Sequence, residues 1–572
     1  MIKDSASITM VALCLLSCVS QQSVRSDRNA VPRSEDLDRA DGELVLAKIH
    51  LAQTHVLPLG SEMLHLVSNR DTLLKVDALE KMNGEPPAGS VELQLGGRME
   101  AVALTSPRSL PSSAPVDPSW NDSYTVILPK EWIQPGLNLK IILGSMTTDI
   151  QPKIGAPNPL TLTLLRLQVF QQPKPAMEPP GWEAEFAAKL PISQLKVNRK
   201  GPWLLSEVVV PPRPDVNLPA VRVRSVEEYR QKTKLPFDGE QGLILGLTNA
   251  LQVAAGDNRL SVYYSFASGV GVGGGLADSF TAMGADGNYA VLLHEVGHTL
   301  SLPHWANNPQ YPYQGDLEGL QGDPGHVGLG WGFDGRKGLQ GEIPLPYFIP
   351  PIVQTNTVGR TPGTLKKDPM AGGGSGDQEK GFLFRMFSDF SVRRMQTWLE
   401  QELVLWDEDQ KQYMKWDAQK LSYQPIKNDG VNLPEVRDSA TFSIVYSTSA
   451  VTPEANFIYA PIGPHVSHRI RTFDPSRVED LEAARQRYCQ PSCDFTLRVR
   501  AGDRTKDYIV RGTWKAGADP LNVNSHFVGA LNLPAADGTI QEVNLLLTPK
   551  VESVGLPPNP QLLARYLAPG TP

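Results

Sequence analysis

Within eleven residues, His294-Glu-Val-Gly-His-Thr-Leu-Ser-Leu-Pro-His304 gathers three of the chain's ten histidines and a glutamate. His294 and His298 are four apart, so on a helix both imidazoles leave from one face and can share a metal ion. The apolar spacing of NYAVLLHEVGHTL predicts that helix. Were it to continue, His304 would lie roughly 15 Å along the axis from His294 and turned off the ligand face. It completes the set only if the helix stops and the chain turns back. Pro303 gives a reason to stop, because it lacks an N–H and pushes Leu302 out of helical geometry. A catalytic zinc ion needs about three protein donors and an open position for water. Glu295, next to the first histidine, can reach that water as a general base.

Two other readings compete. One is a histidine-rich helix end without metal. The other takes Glu318 as third ligand, as in zinc peptidases whose third donor is a glutamate. Glu318 stands in the glycine-broken GDLEGLQGD, unlike the second helix such sites use. The expected set is therefore His294, His298 and His304 around one catalytic Zn2+, with Glu295 as base. His326 reads as a loop histidine, and His465 and His468 need no metal to explain them.

Around this stretch the chain changes character twice. Short alternating apolar runs such as ELVLAKIHLAQ, SVELQLGG, LNLKIILG and LTLTLLRLQVF fill residues 45–172 and predict an antiparallel β-domain. QQPKPAMEPPGW marks a boundary. Helical and strand patterns then mix. Ser225 with Glu228 forms a capping box, a helix closes at Gly256, and SDFSVRRMQTWLEQELVLW predicts a long helix capped by Ser388 or Asp389. After residue 428 β-type alternation returns and closes with a short helix around Leu562–Tyr566. No internal repeat stands out.

HExxHxxxxxH is the metzincin pattern, and DPMAGGG (368–374) is similar to the methionine turn beneath the metal of those enzymes, with Met370 as its methionine. Together with LLHEVGHTLSLPHW, GWGFDG (330–335) and the upstream LAQTHVLPL…LVSNRDTLL, the chain resembles the StcE/TagA/dictomallein family of secreted zinc metalloproteases. The resemblance implies a multi-domain α+β chain, a metzincin-like zinc-protease catalytic domain flanked by β-sandwich-type domains. It also implies zinc-dependent endopeptidase activity, and the family's best-known member cleaves mucin-type O-glycosylated proteins. On these grounds the domains are an N-terminal immunoglobulin-like β-domain (45–172), the catalytic domain (173–428) and a C-terminal β-rich domain (429–572). GVGVGGGLADS (269–279) falls where metzincins place the edge strand that pairs with substrate, although a surface loop explains it equally well. Trp331 and Asp334 suit either a cleft wall or loop packing. Two departures stand out. Ser301 replaces the usual glycine three residues after the second histidine, at a cost of about 1–2 kcal/mol if the turn needs positive φ. No tyrosine lies between Met370 and Glu400, leaving Tyr263 and Tyr264 as weak substitutes for which core packing is the simpler reading.

The N-terminus reads as an export signal. Lys3 precedes the apolar run Ile8–Leu16, too short to span a bilayer. LLSC ending at Cys18 resembles a bacterial lipoprotein box, giving a signal peptide (1–18), a lipidated Cys18 and a polar tether (19–44). Ordinary cleavage near Ser20 is the alternative. Cys489 and Cys493 are the cysteines outside this leader, and in an oxidising compartment they predict a short disulfide. A net charge of −7 argues against nucleic acid or an anionic membrane surface as partner. Membrane association would run only through the lipid anchor, and oligomeric state is not legible. The expected protein is exported, either secreted or a bacterial outer-membrane or cell-surface lipoprotein, and hydrolyses glycoprotein substrates. The competing class is a surface glycan-binding or adhesin lipoprotein whose zinc site is structural or inactive.

Overall fold

The computed structural model describes residues 44–79, 85–113, 122–170, 175–234, 240–268, 274–304, 332–334, 347–349, 369–371 and 383–570. The leader with Cys18, the tether, Glu318, His326 and Trp331 lie outside them. The chain from Leu44 onward forms one compact unit built from several sheets and a few helices.

Two four-stranded antiparallel sheets open the chain. Val45–Ala52 and Thr72–Leu79 are central in one; Gly89–Leu95 and Asn138–Leu143 are central in the other. Successive side chains of a strand take opposite faces, and one face supplies Leu51, Leu74, Val76, Val91, Leu93, Leu139 and Ile141 to a shared core.

The site is carried by a five-stranded sheet, in the order Leu195–Leu205, Leu160–Val169, Val262–Ser268, Thr281–Ala285, Gly275–Asp278. The first four run parallel, and the last is an antiparallel edge. LTLTLLRLQV therefore belongs to this sheet and not to the preceding β-domain as its alternation suggested. Period-two alternation shows which face a side chain takes, but not which sheet the strand joins. Leu160, Leu162 and Leu164 pack with Val262, Tyr264 and Phe266 under the helices Tyr289–Thr299 and Asp389–Glu402. Leu165, Leu167 and Val169 face the helix Gln241–Ala255 on the other side.

Local signals hold where their chemistry is explicit. Ser225 Oγ accepts from Glu228 N at 3.1 Å, and Ser388 caps the helix Asp389–Glu402. Gly256 ends the helix Gln241–Ala255 at φ +74°. Two expectations fail. Gln561–Leu567 is a strand on the last sheet, paired with Ile540–Leu547, and not a helix. A ten-residue repeat does exist: Trp406 faces Tyr413 and Trp416 faces Tyr423 in successive hairpins. In both, the Asp after the tryptophan (Asp407, Asp417) caps the turn by accepting two backbone N–H groups. The C-terminal region packs two further antiparallel sheets about Phe442, Ile444, Leu497, Leu531 and Leu545. A disulfide joins Cys489 to Cys493.

Candidate metal centre

The helix Tyr289–Thr299 starts at Asn288, whose side chain accepts from Val291 N at 3.2 Å. It ends in a Schellman turn. Ser301 N donates to His298 O at 2.9 Å, and Leu302 N donates to Gly297 O at 3.1 Å. The turn puts Ser301 at φ +70°, the left-handed conformation in which glycine would be free of strain. Leu302 buries itself in the core, and Arg394 Nε donates to Ser301 O at 3.1 Å. The chain is thereby folded back on its own helix.

That reversal brings the third ring home. His304 Nε2 lies 3.1 Å from His294 Nε2 and 3.1 Å from His298 Nε2. With zinc–nitrogen bonds of about 2.0–2.1 Å, a tetrahedral angle sets neighbouring donors roughly 3.3–3.4 Å apart. The other ring nitrogens show why these atoms converge. His294 Nδ1 is 2.8 Å from Pro369 O, and His298 Nδ1 is 2.6 Å from Leu302 O. A carbonyl only accepts, so each Nδ1 carries the proton and each Nε2 presents a bare lone pair. Two such lone pairs turned toward one point, with His304 Nε2 3.1 Å from each, suit a cation among them. Burial also pulls His298 down to about 4, keeping it in the neutral, metal-binding form. The donor set, three imidazoles of which two are held through their outer nitrogens, fits zinc.

Glu295 lies beside them, buried, with Oε1 3.9 Å from His294 Nε2. Burial pushes its carboxyl up to about 8. A dication in the imidazole cage would favour the carboxylate again. Space for this side chain comes from the edge strand. A Cβ on Gly275 would lie 2.6 Å from both Glu295 Oε1 and Met283 O. Gly297, between the two helical histidines, does the same job beneath the helix: a Cβ there would sit 2.5 Å from Met370 Sδ. Met370 is buried in the short turn Pro369–Ala371, whose first carbonyl orients His294.

The remaining sequence candidates fall elsewhere. Tyr263 OH donates to Asp257 Oδ2 at 2.7 Å on the far face of the sheet, and Tyr264 is fully buried in the core. Asp334 is buried, 3.4 Å from Lys189 Nζ, which settles it as packing and not cleft wall. His465 packs on Trp203, and His468 Nδ1 accepts from Asp438 N. Sequence reasoning singled out the stretches that hold Gly275 and Pro369 without giving either residue its role, and it missed Arg394, which left no signal.

A paired helical imidazole, a returning third and a buried carboxylate gather at one point, an arrangement that suits a metal-dependent hydrolase. Residues 119–404 match the Peptidase M66 family model. The chain belongs to that family, and it is a metallopeptidase. It is 29% identical to dictomallein of Burkholderia mallei (strain SAVP1) over 594 aligned positions, covering 91% of this chain and 83% of that one. Dictomallein of Burkholderia pseudomallei (strain K96243) matches to the same extent. Dictomallein-2 of Dictyostelium discoideum is 24% identical, over 91% of this chain and 95% of its own.

Proposed function

We propose that this metallopeptidase is an exported zinc endopeptidase with a metzincin-type site, acting on mucin-type O-glycosylated proteins. The observation that carries the zinc reading is the convergence of three Nε2 atoms, two of them on rings whose Nδ1 atoms donate to backbone carbonyls. Zinc held there would supply Lewis-acid polarisation of the scissile carbonyl and a water acidic enough to attack near neutrality. Glu295 would take that water's proton and return it to the departing amine nitrogen. Gly275–Asp278 ends its sheet and runs antiparallel beside the carboxylate, so an extended peptide can add to it as a further strand. Gly275 and Ala277 leave that edge without bulk, room that a chain carrying sugars requires.

Export is supported by the short apolar leader and by the Cys489–Cys493 disulfide, which suits an oxidising compartment. Lipidation at Cys18 would tether the enzyme to the cell surface. The substrate reading is tested by digesting one mucin-type glycoprotein before and after enzymatic removal of its O-glycans. Loss of cleavage on deglycosylation is the expected result; equal cleavage of both forms overturns it.

A further inference from the structure

The strand Leu160–Val169 changes character along one face. Leu165, Leu167 and Val169 pack with the helix Gln241–Ala255 and with Val445 and Tyr459 of the C-terminal region. At the start of the strand the same face carries Thr161 and Thr163 instead. Their partners on the neighbouring strand are Lys196 and Asn198. Where the apolar packing ends, a polar cavity of about 260 Å³ therefore opens, lined from other elements by Asp257, Trp406, Asp438 and His468. It lies on the face of the sheet opposite the helix that carries His294 and His298, which packs over Leu162 and Leu164.

Asp257 follows the glycine that ends the helix Gln241–Ala255 and is 4% exposed. Tyr263 OH donates to its Oδ2 at 2.7 Å, while Oδ1 has no hydrogen-bond partner among the described residues. A buried polar atom left in this way is costly, and it marks a place where something else binds. Burial raises this carboxyl above its usual range, and charged or protonated, Oδ1 still has a hydrogen bond to make.

His468 faces it. Its Nδ1 accepts from Asp438 N at 3.0 Å, so the neutral ring carries its proton on Nε2. Nε2 lies 3.9 Å from Asp257 Oδ1 and 4.0 Å from Asp438 Oδ1. Both distances are too long for a hydrogen bond, and an oxygen set between can accept from the ring and donate to a carboxylate. The chain bends to make this arrangement. Asp438 has φ +45°, at the point where pairing of Val436–Ser449 with Ile462–Arg469 shifts register between Val436 and Ser439. Bulges of this kind re-aim a side chain.

The lining selects a chemistry. Asp257 and Asp438 are offset by Lys196 and Arg437, so neither an anion nor a cation is favoured as a whole. Closely spaced donors and acceptors suit a ligand whose neighbouring groups do both, as ring hydroxyls do. Trp406 and Leu260 add apolar surface for the C–H face of such a ring. The volume is below the roughly 300–1,000 Å³ of sites for drug-sized ligands, which leaves room for one ring. We propose that this cavity is a binding site for one neutral sugar ring, separate from the metal centre and independent of the zinc reading.

The test titrates the full chain with galactose, N-acetylgalactosamine and the anionic N-acetylneuraminic acid, read by saturation-transfer NMR. At least one neutral sugar binds with Kd on the order of 1 mM, the scale expected of so small a ligand. The anionic sugar binds at least about tenfold more weakly. Asp257→Leu, which keeps the bulk and removes both oxygens, raises the Kd about tenfold or more. Asn198→Ala raises it about threefold. Glu295→Gln and the zinc-chelated chain keep wild-type sugar affinity, so failure of the zinc reading and failure of this proposal give different results. Absence of binding by the wild-type chain overturns the proposal, as does equal binding of the anionic sugar. Binding untouched by Asp257→Leu, or lost in Glu295→Gln, overturns it as well. Should Asp257→Leu not fold, Asn198→Ala decides: weaker binding supports the site and wild-type binding overturns it.

Discussion

The β-sheet regions on either side of the protease sheet are attached by different physics. The first is joined by directional polar bonds: Arg70 on three carbonyls beyond its own domain, Gln396 Nε2 on Leu66 O, Glu400 Oε1 on Ala156 N. The last is joined mainly by an apolar seam, in which Leu243, Leu247 and Leu251 of the helix Gln241–Ala255 meet Val445, Tyr459 and Ile462, with fewer polar bonds beside it, from Val209 N to the Tyr459 hydroxyl and from Lys200 Nζ to Ser467 Oγ. Apolar burial is non-directional and sets how firmly two parts associate. Hydrogen bonds to fixed carbonyls set where each part sits. The polar junction lies behind the imidazoles, where placement matters; the seam lies on the opposite face of the sheet, where only attachment is needed.

Substitutions separate these roles. The largest effect belongs to chemistry alone. Glu295→Gln lowers kcat by about 10²–10⁴-fold with zinc content unchanged, checked by steady-state kinetics and metal analysis. Leu247→Ala, fully within the seam, costs about 2–5 kcal/mol of stability by denaturant titration. Because the seam does not touch the ligand helix, kcat of the folded fraction stays at the wild-type value; a fall there breaks the contrast. Gly275→Ala pushes a methyl against the Glu295 side chain and Met283 O. Displacing the base by a fraction of its reach lowers kcat on the order of 10²-fold, with zinc retained. Ser301→Gly has the smallest effect. It relieves the left-handed strain at φ +70° and, after the added backbone entropy of glycine, stabilises the fold by about 0.5–1 kcal/mol without changing activity.

What was legible in sequence is what local geometry encodes. The four-residue histidine spacing, the proline ahead of His304 and the anomalous Ser301 all concern one helix and its exit. The structure brings these three rings together in the manner the break requires. Caps at Ser225 and Ser388 were legible for the same reason, since donor and acceptor lie three residues apart. Partners distant in sequence were not legible. Nothing in His294 announces that a carbonyl at Pro369 will orient it. The sheet to which Leu160–Val169 belongs is likewise a long-range fact, because a central parallel strand and a sandwich strand share the same alternation. Gln561–Leu567 went wrong for a simpler reason: a seven-residue run of mixed apolar character fits either period, and pairing with Ile540–Leu547 decides it.

The central claim is that three converging imidazoles hold the ion on which peptide hydrolysis depends. Metal analysis of the purified chain, paired with proteolysis before and after a zinc chelator, tests it most directly. The account predicts one equivalent of zinc per chain in wild type, a loss of both zinc and hydrolysis on chelation, and recovery of both when zinc is restored. Undiminished hydrolysis by a fully chelated chain, or a His304→Ala variant that holds zinc as tightly as wild type, would contradict it.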